Sequence, residues 1–109
     1  MIVVTRFEVP EAQAASFLPG ARYALDSLAQ RPGFVRGHLG RAVDEPGTWA
    51  LVTEWDSVGS YRRGLSAPDV KLATAPLMAL SVPEPGAYEV VKTVAEGQPP
   101  STPPSQRAR

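Results

Sequence analysis

The chain has 109 residues, of which 43% are hydrophobic and 20% charged, which suits one globular domain and is too short for two. Eleven basic residues balance eleven acidic ones, and the zero net charge argues against a surface for nucleic acid or an anionic membrane. The sequence has no cysteine and a single histidine, which excludes disulfides, cysteine nucleophiles, thiolate metal sites and histidine-rich metal sites.

The first strand and the first helix are predicted over residues 2–30. Residues 2–9 are rich in β-branched side chains and are followed by Pro10, as expected for a strand. Over residues 11–30, apolar side chains recur at the spacing of one helix face. Pro19-Gly20 interrupts this segment, but the apolar stripe keeps its phase across the break, so we predict one kinked helix. Arg31-Pro32-Gly33 then ends it.

A hairpin follows the first helix. Residues 34–42 and 48–55 are two strand candidates, and the Asp44-Glu45-Pro46-Gly47 sequence between them is a strong turn signal. Either Asp56 or Ser57 can cap the next helix, because both side chains accept hydrogen bonds from backbone N–H groups. The pattern therefore predicts a strand, a turn, a strand and a second helical region.

The second helical region is predicted to be interrupted, with a second piece over about residues 68–74 that Pro76 limits. A last strand is predicted over residues 87–94. Residues 95–109 are rich in proline, glycine and small polar residues, and they predict a disordered tail after a domain of residues 1–94. No stretch approaches the roughly 20 apolar residues of a membrane-spanning helix. We therefore expect a cytoplasmic protein with neither a membrane nor a nucleic acid as partner.

The element order β-α-β-β-α-β predicts an α+β, ferredoxin-like fold, an antiparallel sheet with its helices on one face. The third strand is apolar on both of its faces. Trp49, Leu51 and Trp55 point one way, and Ala50 and Val52 point the other. Because one monomer has helices for only one face, a second sheet packed on the other face predicts a homodimer. A monomer with some exposed apolar surface is the alternative.

Several short motifs are shared with a known protein family. In chain order they are Arg31-Pro32-Gly33-Phe34, Gly37, Leu39-Gly40-Arg41, Asp44, Pro46, Trp49, Thr53-Glu54-Trp55, Tyr61-Arg62-Arg63 and Pro76-Leu77. Over about residues 1–92 the chain resembles the antibiotic biosynthesis monooxygenase-like (ABM) family of dimeric α/β-barrel proteins. The resemblance implies a ferredoxin-like homodimer. Family members include cofactor-independent quinol or polyketide-anthrone oxygenases and haem-degrading enzymes.

The resemblance also implies a pocket for an aromatic substrate. In the family's oxygenases a tryptophan and a tyrosine contact the substrate, and Trp55 and Tyr61 match that pair. The asparagine that accompanies them has no counterpart, because the sequence contains no asparagine, and its absence also argues against haem cleavage. Trp49, Leu51 and Leu65 are expected to contribute to substrate binding in the same pocket.

Oxygenation without a cofactor requires few protein groups. A deprotonated hydroquinone or anthrone is electron-rich enough to reduce O2 itself, so the protein needs an apolar pocket with aromatic walls and help with proton removal. His38 is a candidate base, since histidine ordinarily titrates near neutral pH, and Tyr61 is a candidate donor to a developing oxyanion. Each of these side chains also has a structural interpretation, with Trp49 and Trp55 as core residues and Tyr61 as a packing residue.

Three functions remain open from the sequence. The first is a cofactor-independent monooxygenase that acts on a phenolic, quinol or polyketide-type aromatic, with Trp55, Tyr61 and His38 as catalytic residues and no metal. The second is a non-oxidative polyketide cyclase or isomerase that uses the same pocket. The third is a non-catalytic dimeric protein that binds a small molecule, an interpretation favoured by the missing asparagine and the single histidine.

Overall fold

Four strands and three α-helices make up the part of the chain, residues 1–97, that the computed structural model describes. In chain order they are β1 (Ile2–Glu8), α1 (Ala14–Ala29), β2 (Phe34–Arg41), β3 (Thr48–Trp55), α2 (Val58–Ser66), α3 (Pro68–Met78) and β4 (Ala87–Tyr88). The strands form one antiparallel sheet in the order β2-β3-β1-β4, with the helices on one face. This arrangement confirms the ferredoxin-like fold. No helix within residues 1–97 combines the length and apolarity that crossing a membrane requires.

The first helix is continuous through Pro19, as its unbroken apolar stripe predicts. Its buried side chains lie on one face and pack toward α3 and β2. They are Phe17, Ala21, Ala24 and Leu28. Pro19 is exposed and lies in the second turn, so the proline removes only the hydrogen bond that its missing N–H would donate.

A β-bulge at the start of β2 changes which face its first residue occupies. Phe34 pairs with Trp55, but Arg36, two residues later, pairs with Glu54, the immediate neighbour of Trp55 on β3. Without the bulge, strict alternation would place Phe34 on the same face as Arg36 and His38. The extra residue turns Phe34 toward the helices, where its ring packs against Trp55.

Two predicted boundaries also differ from the structure. The third helix continues past residue 74 to Met78, because Pro76 lies in its last turn and interrupts only one backbone hydrogen bond. The last strand pairs only at Ala87 and Tyr88, opposite Val3 and Ile2. The residues after Tyr88 lie beyond Ile2, the first residue of β1, and have no strand of residues 1–97 beside them there. The later apolar residues of this segment are exposed: Val90, Val91 and Val94. Of the tail predicted over residues 95–109, residues 98–109 lie outside the described part of the chain.

Gly33 joins the first helix to β2 in a conformation that only glycine adopts easily. Its φ is +89°, and a Cβ there would overlap the Ser60 side chain and lie 2.7 Å from Oδ1 of Asp56. We expect Gly33→Ala to lower the free energy of unfolding by about 2–4 kcal/mol, the sum of backbone strain and displacement of Ser60. Urea denaturation followed by circular dichroism measures this change.

Gly40→Ala is the matched control for Gly33→Ala. Gly40 lies in β2, where an added Cβ would meet no atom of residues 1–97 within 4 Å beyond its own chain neighbours, and its φ is not positive. Gly40→Ala is expected to change the free energy of unfolding by no more than about 0.5 kcal/mol. Equal losses in the two variants would contradict the close packing of Gly33 on Ser60.

Candidate active site

Trp55 and Tyr61 are in direct contact at the junction of β3 and α2. Trp55 ends β3 and is 1% exposed, and its ring centroid lies 5.9 Å from that of Tyr61. The Ser57 side chain caps α2 by accepting a hydrogen bond from the backbone N–H of Ser60 at 3.1 Å. Because Ser57, the cap, lies two residues after the end of β3, α2 begins at Val58 and Tyr61 is its fourth residue. This position brings the Tyr61 ring against Trp55.

The Trp55 indole is fixed on several sides. The Phe34 ring packs edge-on against it, with centroids 5.3 Å apart and an interplanar angle of 90°. The indole N–H donates a hydrogen bond to Oγ1 of Thr53 at 2.9 Å. A Cβ placed on Gly64 would lie 3.0 Å from the indole, so α2 passes directly over the ring. Trp55 is therefore a rigid support for Tyr61.

A cavity of about 110 Å³ lies between the sheet and the helices, and Tyr61 forms part of its wall. The lining residues are Val3, Thr5, Phe7, Leu28, Leu51, Thr53, Tyr61, Leu65, Thr74, Leu77 and Met78. Three of the residues expected to bind substrate or act on it, Tyr61, Leu51 and Leu65, thus line one cavity. Trp55 does not line it but holds two residues that do, Tyr61 and Thr53.

The polar side-chain groups of the cavity are all hydroxyls, and they differ in their hydrogen bonds. The Thr53 hydroxyl accepts from Trp55, and the Thr74 hydroxyl donates to the carbonyl oxygen of Val70 at 2.9 Å. The hydroxyls of Thr5 and Tyr61 have no hydrogen-bond partner within residues 1–97. Burial raises the pKa of the Tyr61 phenol, which therefore stays protonated at neutral pH. Tyr61 can donate a hydrogen bond to a ligand without giving up an existing one.

His38 and Trp49 are not brought to this cavity. His38 is exposed and pairs with Val52, on the face of the sheet that points away from the helices. Trp49 lies on the helix side, but it packs against Phe17 with a centroid distance of 5.3 Å and lines a separate groove. No carboxylate or imidazole from residues 1–97 lines the cavity. Within the described residues, no three histidine or acidic side chains gather as a possible metal site.

The sequence matches a family model described as antibiotic biosynthesis monooxygenase over residues 1–75. The chain belongs to the antibiotic biosynthesis monooxygenase (ABM) family. This confirms the resemblance seen in the sequence motifs. A comparison with curated proteins gives no match.

Solved structures agree with the family assignment. SnoaB, a cofactor-independent oxygenase from Streptomyces nogalater, is 30% identical, with 87% of this chain and 96% of SnoaB covered and a TM-score of 0.75. A Deinococcus radiodurans protein named for the same family is 18% identical over 87% of this chain and 97% of that one, with a TM-score of 0.73. A conserved protein from Methanosarcina mazei Go1 is 16% identical over 76% of this chain and 82% of that one, with a TM-score of 0.68. The latter two show the shared fold.

Four residues of this ABM-family site have roles that the sequence did not predict. Thr53 binds the Trp55 indole, and its position two residues before Trp55 on the same strand face is a signal that could have indicated the contact. Phe34 reaches Trp55 only through the bulge, which leaves no periodic signal. Thr5 and Thr74 line the cavity among apolar neighbours, and nothing in their local sequence distinguishes them from core threonines.

Proposed function

We propose that this ABM-family protein is a cofactor-independent monooxygenase that acts on a phenolic, quinol or polyketide-type aromatic in the cavity beside Tyr61. The observation that carries the proposal is a neutral phenol, without a hydrogen-bond partner in residues 1–97, in a mostly apolar cavity. Membership of the family and 30% identity to SnoaB, a cofactor-independent oxygenase, support the type of reaction.

The cavity volume limits the substrate. An apolar cavity of about 150 Å³ accepts a benzene ring, so the 110 Å³ observed here corresponds to at most a single ring. A larger aromatic requires side chains to move. Val3, Thr5, Tyr61 and Met78 line both this cavity and a neighbouring pocket of about 330 Å³ beside β1 and β4. We infer that movement of the Tyr61 and Met78 side chains joins the two spaces. We infer that an aromatic of more than one ring enters between Tyr61 and Met78.

The reaction needs an electron-rich substrate anion and O2. A ring CH2 between hydroxylated rings loses a proton, and the resulting anion gives one electron to O2. The radical pair then combines to a peroxide anion, which takes up a proton to give a hydroperoxide. The hydroperoxide loses water and leaves a carbonyl. One atom of O2 ends in the product and the other in water. The apolar walls bind the rings by burying their surface, and Tyr61 stabilises the negative charge on the substrate oxygen by donating a hydrogen bond.

The absence of a base from the cavity lining determines how the proton leaves. Since no carboxylate or imidazole of the described residues lines the cavity, we infer that the Tyr61 hydrogen bond favours ionisation by stabilising the anion, and that water accepts the proton. His38 is not part of this proposal because it lies on the opposite face of the sheet. The same absence favours the alternative function, a protein that binds an aromatic metabolite without changing it.

Oxygen uptake separates these functions. The assay uses metal-free protein with a panel of hydroquinones and anthrones, each compared with buffer and repeated without O2. Protein-dependent uptake with product formation only in the presence of O2 supports the monooxygenase. Product formed equally under anaerobic conditions would indicate a cyclase or isomerase. Tight binding with neither product nor uptake would indicate the binding protein.

We also propose that the protein functions as a homodimer formed through the outer face of the sheet. Val4 and Val52 are paired in adjacent strands on this face, and neither is covered by a helix. We expect a solution mass of twice 11.6 kDa by light scattering. Val52→Arg is expected to shift the protein to monomer, because it places a charge in an apolar interface. Val43→Arg, on an exposed loop, is the control. A wild-type monomer at micromolar concentration would contradict the proposal.

A further inference from the structure

A second concave site lies on the helix side of the sheet, separate from the cavity. It is an open groove of about 510 Å³ between α1 and the β2–β3 hairpin. Its lining residues are Leu18, Arg22, Leu25, Asp26, Leu39, Arg41 and Trp49, and none of them lines the cavity beside Tyr61. The proposed oxygenase reaction uses no part of this groove.

The groove offers a flat aromatic wall on an apolar floor. Trp49 is half-buried and is held in place by Phe17, whose ring centroid lies 5.3 Å from that of the indole. Three leucines complete the apolar surface: Leu18, Leu25 and Leu39. A planar ring can pack against this surface, since stacking on an immobilised indole costs little conformational entropy.

The charges of the groove are unbalanced. Arg22 and Arg41 are exposed, and neither lies within ion-pair distance of a carboxylate in residues 1–97. The Arg41 guanidinium lies 5.4 Å from the Trp49 ring centroid, so one cation borders the aromatic wall directly. Asp26, also without an ion-pair partner in that range, follows Arg22 by one helical turn and reduces the net charge of the groove to +1.

We propose that this groove binds a planar aromatic molecule that carries one carboxylate. The ring packs against Trp49 and the leucines, and Arg22 and Arg41 bind the carboxylate. The guanidinium fork matches a carboxylate in geometry. A single negative charge neutralises the net charge of +1, whereas a doubly charged phosphate would leave one uncompensated negative charge beside Asp26.

The two tryptophans make this site directly observable. Trp49 lines the groove, whereas Trp55 is 1% exposed and remote from it. The probe is 2-naphthoate, titrated into ¹⁵N-labelled protein while the two indole N–H signals are recorded. The indole N–H signal of Trp49 is expected to shift with saturation and that of Trp55 to stay in place. The uncharged 2-naphthamide is expected to bind at least tenfold more weakly.

Variants test the two arginines. The Arg22→Gln, Arg41→Gln double variant is expected to weaken 2-naphthoate binding at least tenfold with an unchanged urea midpoint. Lys71→Gln removes a cation from an exposed position on α3 outside the groove and is expected to bind as the wild type does. Wild-type affinity in the double variant, equal affinity for the amide, or a shift at Trp55 instead of Trp49 would each overturn the proposal.

Discussion

Trp55→Ala is expected to lower the free energy of unfolding by about 3–5 kcal/mol, the range for removing a large aromatic from a core. Trp55 is 1% exposed and contacts the rings of both Phe34 and Tyr61. Its removal leaves a void between β3 and α2 and takes the hydrogen-bond donor away from Thr53. Urea denaturation followed by circular dichroism measures the loss, with the m-value expected to stay constant.

Trp55→Phe is the matched control, because phenylalanine keeps an aromatic ring against Phe34 and Tyr61. We expect Trp55→Phe to lower the free energy of unfolding clearly less than Trp55→Ala does. A loss below about 1 kcal/mol in Trp55→Ala would contradict a core role for Trp55. Because Trp55→Ala disturbs the fold around Tyr61, its activity alone cannot assign a catalytic role, and the Tyr61 hydroxyl needs a separate test.

Tyr61→Phe is expected to lower kcat for oxygenation by about 10²-fold, the lower end of the range for removing one oxyanion donor. The Tyr61 hydroxyl has no hydrogen-bond partner within residues 1–97, so its loss breaks no native bond there. The unfolding free energy is therefore expected to change by less than about 1 kcal/mol. Since burial raises the pKa of Tyr61, the phenol keeps its proton to higher pH than a free tyrosine. Ionisation of Tyr61 is thus expected to leave wild-type activity unaffected below about pH 10.

Tyr23→Phe removes a hydroxyl from an exposed tyrosine on α1 and is the control for the substitution. Its kcat and KM are expected to equal those of the wild type. Steady-state oxygen uptake with a substrate from the panel gives both constants for each variant. A wild-type kcat in Tyr61→Phe would remove Tyr61 from the chemistry and leave it as a packing residue.

The sequence predicted much of this fold because hydrophobic periodicity and turn residues act locally. The Asp44–Gly47 turn and the Ser57 cap each depend on residues that are near one another in sequence. The length of β4 depends instead on where β1 begins, because its pairing partners Ile2 and Val3 lie more than 80 residues away in the sequence. The bulge before Arg36 is likewise set by pairing with β3, and no periodic signal in β2 marks it.

The candidate site was predicted less completely for a related reason. Alternation correctly places Trp49, Leu51 and Trp55 on the helix-facing side of β3. That face is then divided between two concave sites by the helices packed on it, so Trp49 lines the groove and Leu51 lines the cavity. The alternation of a strand predicts which face of the sheet a residue occupies, but it does not predict which helix residues pack beside it. The chemistry of histidine makes His38 a candidate base, but only its pairing with Val52 shows which face of the sheet it occupies.

The most direct test of oxygenation in this cavity measures ¹⁸O incorporation into the product of a panel substrate under ¹⁸O2. The proteins compared are the metal-free wild type, Leu51→Trp and His38→Ala. Leu51→Trp fills the cavity, whereas His38→Ala changes the opposite face of the sheet. We expect one ¹⁸O atom per product molecule in the wild type. The rate of product formation is expected to be unchanged in His38→Ala and at least tenfold lower in a folded Leu51→Trp. Unlabelled product, or full activity with the cavity filled, would contradict oxygenation in this cavity.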